Sequence, residues 1–222
     1  MPSDFVRFRI TYTLIAANLL FYLLSVVYSG SLIDIPSGAL VDLGALYGPL
    51  VVLDGEWWRL LAAMFLHGGM THLLMNMFSL YIVGRPMELY FKPQSYLSIY
   101  FLTGIIGGMV SLTIHPQTVG IGASGAIFGL FGALGGYFLE YRRELGDHAK
   151  GIVKDFGLII GINLILGFSI PNIDVSAHVG GFISGLVGGF IAARHTQRLW
   201  IFIALAFAVI AGYYLYLQGL VR

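Results

Sequence analysis

Four side chains of this sequence have the types and spacing to make a nucleophile and manage its charge. Ser124 stands in the run GIGASGAIFGLFGALGG, residues 120–136. A serine hydroxyl is a weak nucleophile until a neighbouring base takes its proton. His178, in AHVGGFISG, is the base whose ordinary pKa suits that task. His72 and Asn76, in HGGMTHLLMN, lie four residues apart and so share one helix face. Both can donate hydrogen bonds to an oxyanion. The chemistry this set supports is acyl transfer through a tetrahedral intermediate. It needs no metal and no cofactor. Cysteine is absent, which excludes disulfides, thiolate metal sites and a cysteine nucleophile.

Each residue taken alone has a quieter explanation. Small residues such as Ser124 let membrane helices approach closely, and His72 and Asn76 could simply bond to a neighbouring helix. His178 could face headgroups. Their environment decides between the readings. Of the 222 residues, 58% are hydrophobic and only 10% charged, where a soluble domain keeps about a quarter charged. Part of this chain's solvent must therefore be lipid. Its net charge of +1 supplies no basic stripe for nucleic acid.

Apolar runs fall at about 10–28, 71–84 (preceded by 57–66), 95–114, 124–139, 153–170, 177–193 and 199–217. A bilayer helix needs about 20 residues, so the shorter runs must be shielded by neighbours. The first run is too long for a signal-peptide core and is expected to be a retained helix. Seven spans with a cytoplasmic N-terminus place ten Lys or Arg residues inside and only Arg59 and Arg222 outside. The positive-inside rule asks for such a bias. Segments 29–70, 115–123 and 171–176 then face the exterior, and Trp57 and Trp58 suit an interfacial place in the long first loop. The expected fold is all-α: a polytopic bundle of about seven membrane helices forming a single membrane domain over 1–222.

In this topology the even-numbered helices all start outside, so His72, Asn76, Ser124 and His178 share one depth just below the outer surface. Buried polar groups in lipid are costly enough that their convergence makes function the default reading. Glycines 125, 129, 132 and 136 on the fourth span and 181, 185 and 189 on the sixth form ridges along which two helices can touch. Facing each other, the ridges bring Ser124 beside His178. Ser124 also opens a helix, where free N–H groups and the dipole favour an anion. Gly120 and Gly122 permit an unusual loop before it. The G-x-S-x-G elbow of soluble hydrolases does not fit, because position 126 is Ala126 and no strand precedes the serine. Asp174 reads as a solvated loop acid, and His67 as a brace for the long loop.

The motifs WWRLLAAMFLHGGMTHLLMNMFSLY, GASGAIFG and AHVGGFISG, in that order, resemble the rhomboid intramembrane serine proteases. The likeness covers a six-helix core of about 5–195; the helix at about 199–217 resembles the extra one of six-plus-one members. The resemblance implies a Ser124–His178 dyad, with His72 and Asn76 joining the Ser124 amide in an oxyanion hole. It implies that Trp58 and Arg59 mark a large membrane-associated first loop, and that substrates are transmembrane proteins cut after small residues. The family often has a tyrosine four residues after the serine; here Phe128 stands there, able to stack on the histidine but lacking the hydroxyl. Two other readings are a non-catalytic binder of the same fold and a small transporter, the latter without a clear inverted repeat or acidic relay. A prokaryotic plasma membrane is the expected location, with the site opening to the exterior.

The topology is testable in a chain without native cysteine. Cysteines at Ser37 and Gln117 are expected to react with an impermeant thiol reagent added to intact cells, and one at His148 to be protected. The opposite pattern would put Ser124 on the cytoplasmic side.

Overall fold

A computed structural model describes residues 4–146, 151, 157–158, 161 and 174–221. Among them there is no strand, and the helices follow the apolar runs. A short α1 (Asp4–Arg7) leads into α2 (Arg9–Ser29). The long first loop carries α3 (Ser37–Asp42), α4 (Gly48–Val52), α5 (Arg59–Ala62) and a 3-10 turn at Ala63–Phe65. Then come α6 (Met70–Tyr90), α7 (Pro93–Ile114) and α8 (Ser124–Glu140). The chain ends with α9 (Val175–Arg194) and α10 (Leu199–Val221). The expected fifth span, 153–170, lies almost wholly outside the described residues.

Among the described residues, four helices are long and apolar enough on their own to cross a membrane: α2, α7, α9 and the Thr196–Gly219 stretch that holds most of α10. The other two owe their place to packing. α8 has 17 residues and buries most of them, including Ile127, Leu130, Phe131, Ala133 and Leu134, between its neighbours. α6 runs six residues past its apolar run and takes in Arg85, Pro86 and Glu88. These charges sit in its last turns, where the helix nears the polar boundary. The Glu88 carboxylate accepts from the Ile10 and Thr11 amides at 3.1 and 2.8 Å and from the Thr11 hydroxyl at 2.7 Å. The end of α6 thereby supplies an anion to the free N–H groups that open α2.

The tightest packing is between α8 and α9. A Cβ at Gly181 would overlap the Gly125 carbonyl, one at Gly185 the Gly129 carbonyl, and one at Gly189 the Ala133 backbone. Gly132 and Gly136 likewise meet the α9 backbone at Phe182 and Leu186. The two ridges face each other as their spacing predicts. α7 joins the pair near the end that carries Ser124, where a Cβ at Gly107 would lie 2.6 Å from the Ala177 carbonyl oxygen. At the far end Arg194 of α9 bonds Glu140 and Glu144, both at 2.5 Å. α10 is peripheral: its side chains at 205, 207, 209 and 214–216 remain exposed while Phe202 covers Gly188.

Adding a side chain to the ridge must separate two backbones. Gly185→Val is expected to destabilise the folded protein by at least about 1–3 kcal/mol, the usual cost of overpacking. Gly212→Ala, at a helical position with open space around it, is expected to be neutral or slightly stabilising. Melting temperatures in one detergent make the comparison.

Candidate active site

Ser124 is the first residue of α8, so its N–H has no partner within the helix. Gly122, two residues before, takes φ +109°, a left-handed conformation open to glycine at little cost. That turn folds the chain against α6: a Cβ at Gly122 would lie 2.8 Å from His72 Nε2 and 3.9 Å from Ser124 Oγ. His72 and Ser124 therefore flank the same backbone position. Both are partly exposed, which leaves a way in for water.

His178 arrives from α9. Gly125, next to Ser124, touches Gly181 and the carbonyl of Ala177, next to His178. Gly125 and Ala177, the neighbours of Ser124 and His178, thus meet where the two helices touch. The His178 ring stacks on Phe128, one turn inside Ser124, with centroids 4.2 Å apart and planes 8° from parallel. Its Nδ1 is enclosed and has no hydrogen-bond partner. Among the described residues the Ser124 hydroxyl also makes no hydrogen bond.

Asn76 lies on the same face of α6 as His72. Its Nδ2 donates to the His72 carbonyl at 3.0 Å, which uses one of the two amide hydrogens and leaves the second free. His67 is fully buried and meets His72 edge to face at 5.0 Å. The Phe65 carbonyl lies near it, but neither ring nitrogen completes a hydrogen bond of ordinary geometry. Burial first, and His72 beside it second, hold the His67 pKa down to about 3, so the ring is neutral. It packs against the His72 ring.

Trp58 and Arg59 serve the first loop. The Arg59 guanidinium is buried and donates to the carbonyls of Val41 at 2.6 Å and Ala45 at 3.0 Å, with Glu56 as its counter-ion. It also stacks under the Trp58 ring, which closes over Gly44. Trp57 packs on Tyr213 and Tyr214 of α10. Two backbone bridges then fasten the loop to the site, Leu46 with Gly120 and Asp34 with Gly69. The Gly122 N–H donates to the Ala63 carbonyl at 2.9 Å, so the turn before Ser124 hangs on the loop.

Asp174 is not the solvated loop acid that its sequence position suggests. It caps α9: the carboxylate accepts from the Ala177 N–H at 3.1 Å and from the Ser176 hydroxyl. Burial works against its charge, but the nearby Ser111 side chain and the hydrogen bonds from Ser176 and Ala177 hold its pKa below the usual carboxylate value. The cap fixes the first turn of the helix that carries His178. Only the capping geometry reveals this; the D-x-x-A pattern by itself is too common to signal it.

Residues 54–195 match the family model for the Rhomboid domain, well over half the chain. The chain belongs to the rhomboid family. It is 39% identical over 183 residues to the rhomboid protease GluP of Bacillus subtilis, covering 82% of this chain and 34% of that protein. It is 38% identical over 168 residues to RHOMBOID-like protein 6, mitochondrial, of Arabidopsis thaliana, covering 74% of this chain and 53% of the relative. The putative rhomboid protease YdcA of Bacillus subtilis is 34% identical over 152 residues, 67% of this chain and 74% of that one. The chain thus spans about a third to a half of the first two relatives. With its apolar helices, this rhomboid is an integral, multi-pass membrane protein.

Arg59→Ala removes a buried charge that holds two loop carbonyls, and Arg59→Lys cannot reproduce the fork. Both are expected to loosen the loop, the alanine variant by about 1–3 kcal/mol. Limited proteolysis between residues 41 and 58, together with the melting temperature, measures the loss.

Proposed function

We propose that this rhomboid is an intramembrane serine endopeptidase that cuts transmembrane proteins in or near their membrane segments. The observation that carries the reading is the placement of Ser124 at a helix start between His72 on α6 and the Phe128-stacked His178 on α9. Ser124 Oγ attacks the substrate's carbonyl carbon while His178 takes the hydroxyl proton. The oxyanion that forms is met by the Ser124 N–H, His72 and the free hydrogen of Asn76. Collapse of the intermediate expels the amine, to which His178 returns the proton. A water then repeats the sequence on the acyl-enzyme, with His178 again as base. No metal or cofactor enters any step.

Phe128 fixes the plane of the imidazole by stacking and adds no hydroxyl to the pocket. A substrate must unwind before attack, because helical peptide bonds are tied up in their own hydrogen bonds. Glycine or proline near the cut lowers that cost, and the family resemblance adds small residues before it. The positive-inside bias supports a cytoplasmic N-terminus and a site open to the exterior, in a prokaryotic plasma membrane. The whole chain acts as one membrane domain, its core about 5–195 with the α10 region appended.

Ser124→Ala and His178→Ala are each expected to abolish cleavage of a transmembrane substrate without loss of folding, and the double variant to be no worse. A fluorophosphonate probe is expected to label wild-type Ser124 only when His178 is present; a non-catalytic binder would not be labelled. Asn76→Ala is expected to lower turnover about 10²–10³-fold while slow labelling persists. Wild-type turnover in folded Ser124→Ala would end the assignment.

A further inference from the structure

At the end of the bundle away from Ser124 is a second polar feature, formed where α1 and the start of α2 lie against the last turns of α6. Arg85 is thirteen residues along α6 from His72, about 20 Å by helical rise. A groove of about 470 Å³ opens beside it. Its polar wall holds Arg7 and Arg85, with the rings of Phe8 and Tyr81 between them. The Arg7 and Arg85 guanidiniums both rest on Phe8, at 5.2 and 4.6 Å from its centroid, and Arg85 lies 4.8 Å from Tyr81. The Tyr81 hydroxyl takes a hydrogen bond from Arg85 at 2.8 Å. Stacking on the rings holds two like charges in place at one site.

Their charge is only half met. Asp4 pairs with Arg85 at 3.0 Å, while Arg7 has no carboxylate partner among the described residues. Arg85 Nε is buried and makes no hydrogen bond. Arginines gathered without matching acids are the donor set for a phosphate, which takes several N–H bonds at once. The opposite wall is apolar. Ile82 and Leu89 line it and remain 40% and 55% exposed, with Pro86 between them. Phe78 and Leu74, one and two turns further along the same face, are exposed as well. That strip runs from the arginines toward the middle of the spanning region. A soluble phosphate has no use for it, whereas an acyl chain does.

We infer that this groove binds one anionic phospholipid, its phosphodiester between Arg7 and Arg85 and an acyl chain along Ile82, Phe78 and Leu74. A zwitterionic lipid brings its own ammonium and gains less from two guanidiniums. The placement at a membrane boundary follows from the spanning helices; its assignment to the cytoplasmic leaflet rests on the proposed orientation. Basic residues at that boundary are where anionic lipids are commonly held.

The test uses the full chain in mixed micelles holding equal amounts of phosphatidylglycerol and phosphatidylcholine, with bound lipid read by native mass spectrometry. Binding rather than cleavage is measured, so the result stands apart from the protease assignment. Wild type is expected to retain phosphatidylglycerol preferentially. Arg7→Gln is expected to lower the preference about fivefold, and Arg7→Gln with Arg85→Gln to erase it. If Arg85→Gln does not fold, Arg85→Lys keeps the charge, and with Arg7→Gln it is expected to match the single variant. Arg142→Gln with Arg143→Gln, at another place on the chain, is expected to leave the preference unchanged. An unaltered preference in the folded Arg7/Arg85 variant would overturn the site, as would an equal loss in the Arg142/Arg143 control. Inorganic phosphate that displaces the lipid completely would show a free-anion site and overturn the lipid.

Discussion

Backbone contact between α8 and α9 is the constraint on which the rest depends. Lipid offers apolar helices little hydrophobic reason to associate, so dispersion between closely packed surfaces must hold them. Glycine at 125 and 129 facing 181 and 185 removes the side chains that would keep the axes apart. Many weak contacts then form along the whole seam. The seam also sets the register of the two helices. Because Ser124 precedes Gly125 and His178 follows Ala177 at the same contact, a slip of one residue would move these two side chains apart. The packing of the helices and the placement of Ser124 near His178 are therefore fixed by one set of glycines.

The first loop does for the turn before Ser124 what the seam does for the helices. A left-handed Gly122 has no reason to hold its orientation unaided. The Ala63 carbonyl fixes its N–H, and the Leu46–Gly120 bridge fixes the strand-like stretch that leads to it. Arg59, buried under Trp58, keeps the Val41 and Ala45 carbonyls from having to find other partners. A guanidinium serves here because its planar fork can meet both carbonyls and the Glu56 carboxylate together. The loop is thus a rigid support, and removing its arginine leaves buried acceptors unmet.

Much of this can be read from the sequence for a physical reason. Lipid penalises polar side chains, so His72, Asn76, Ser124 and His178 stand out against apolar surroundings, and a four-residue glycine period allows close approach of two helices. Other features leave no such mark. Bridges between Leu46 and Gly120 or Asp34 and Gly69 are made by backbone atoms that every residue carries. Asp174 looks like any loop acid until the Ala177 N–H is seen to point at it. The length of α6 was hidden too, because Arg85 and Glu88 read as the end of a span when they are its boundary turns.

Those boundary turns show how the two ends of α6 divide their work. At one end, His72 is partly exposed and Asn76 is buried with one amide hydrogen left free. At the other, Glu88 spends its carboxylate on the start of α2, and Pro86 leaves the Ile82 carbonyl without its helical N–H. The first end leaves a polar hydrogen unsatisfied, whereas the second is satisfied and holds two helices together. A helix with both in 21 residues has little apolar length left between them. This is why α6 falls short as an independent membrane span and needs the bundle around it.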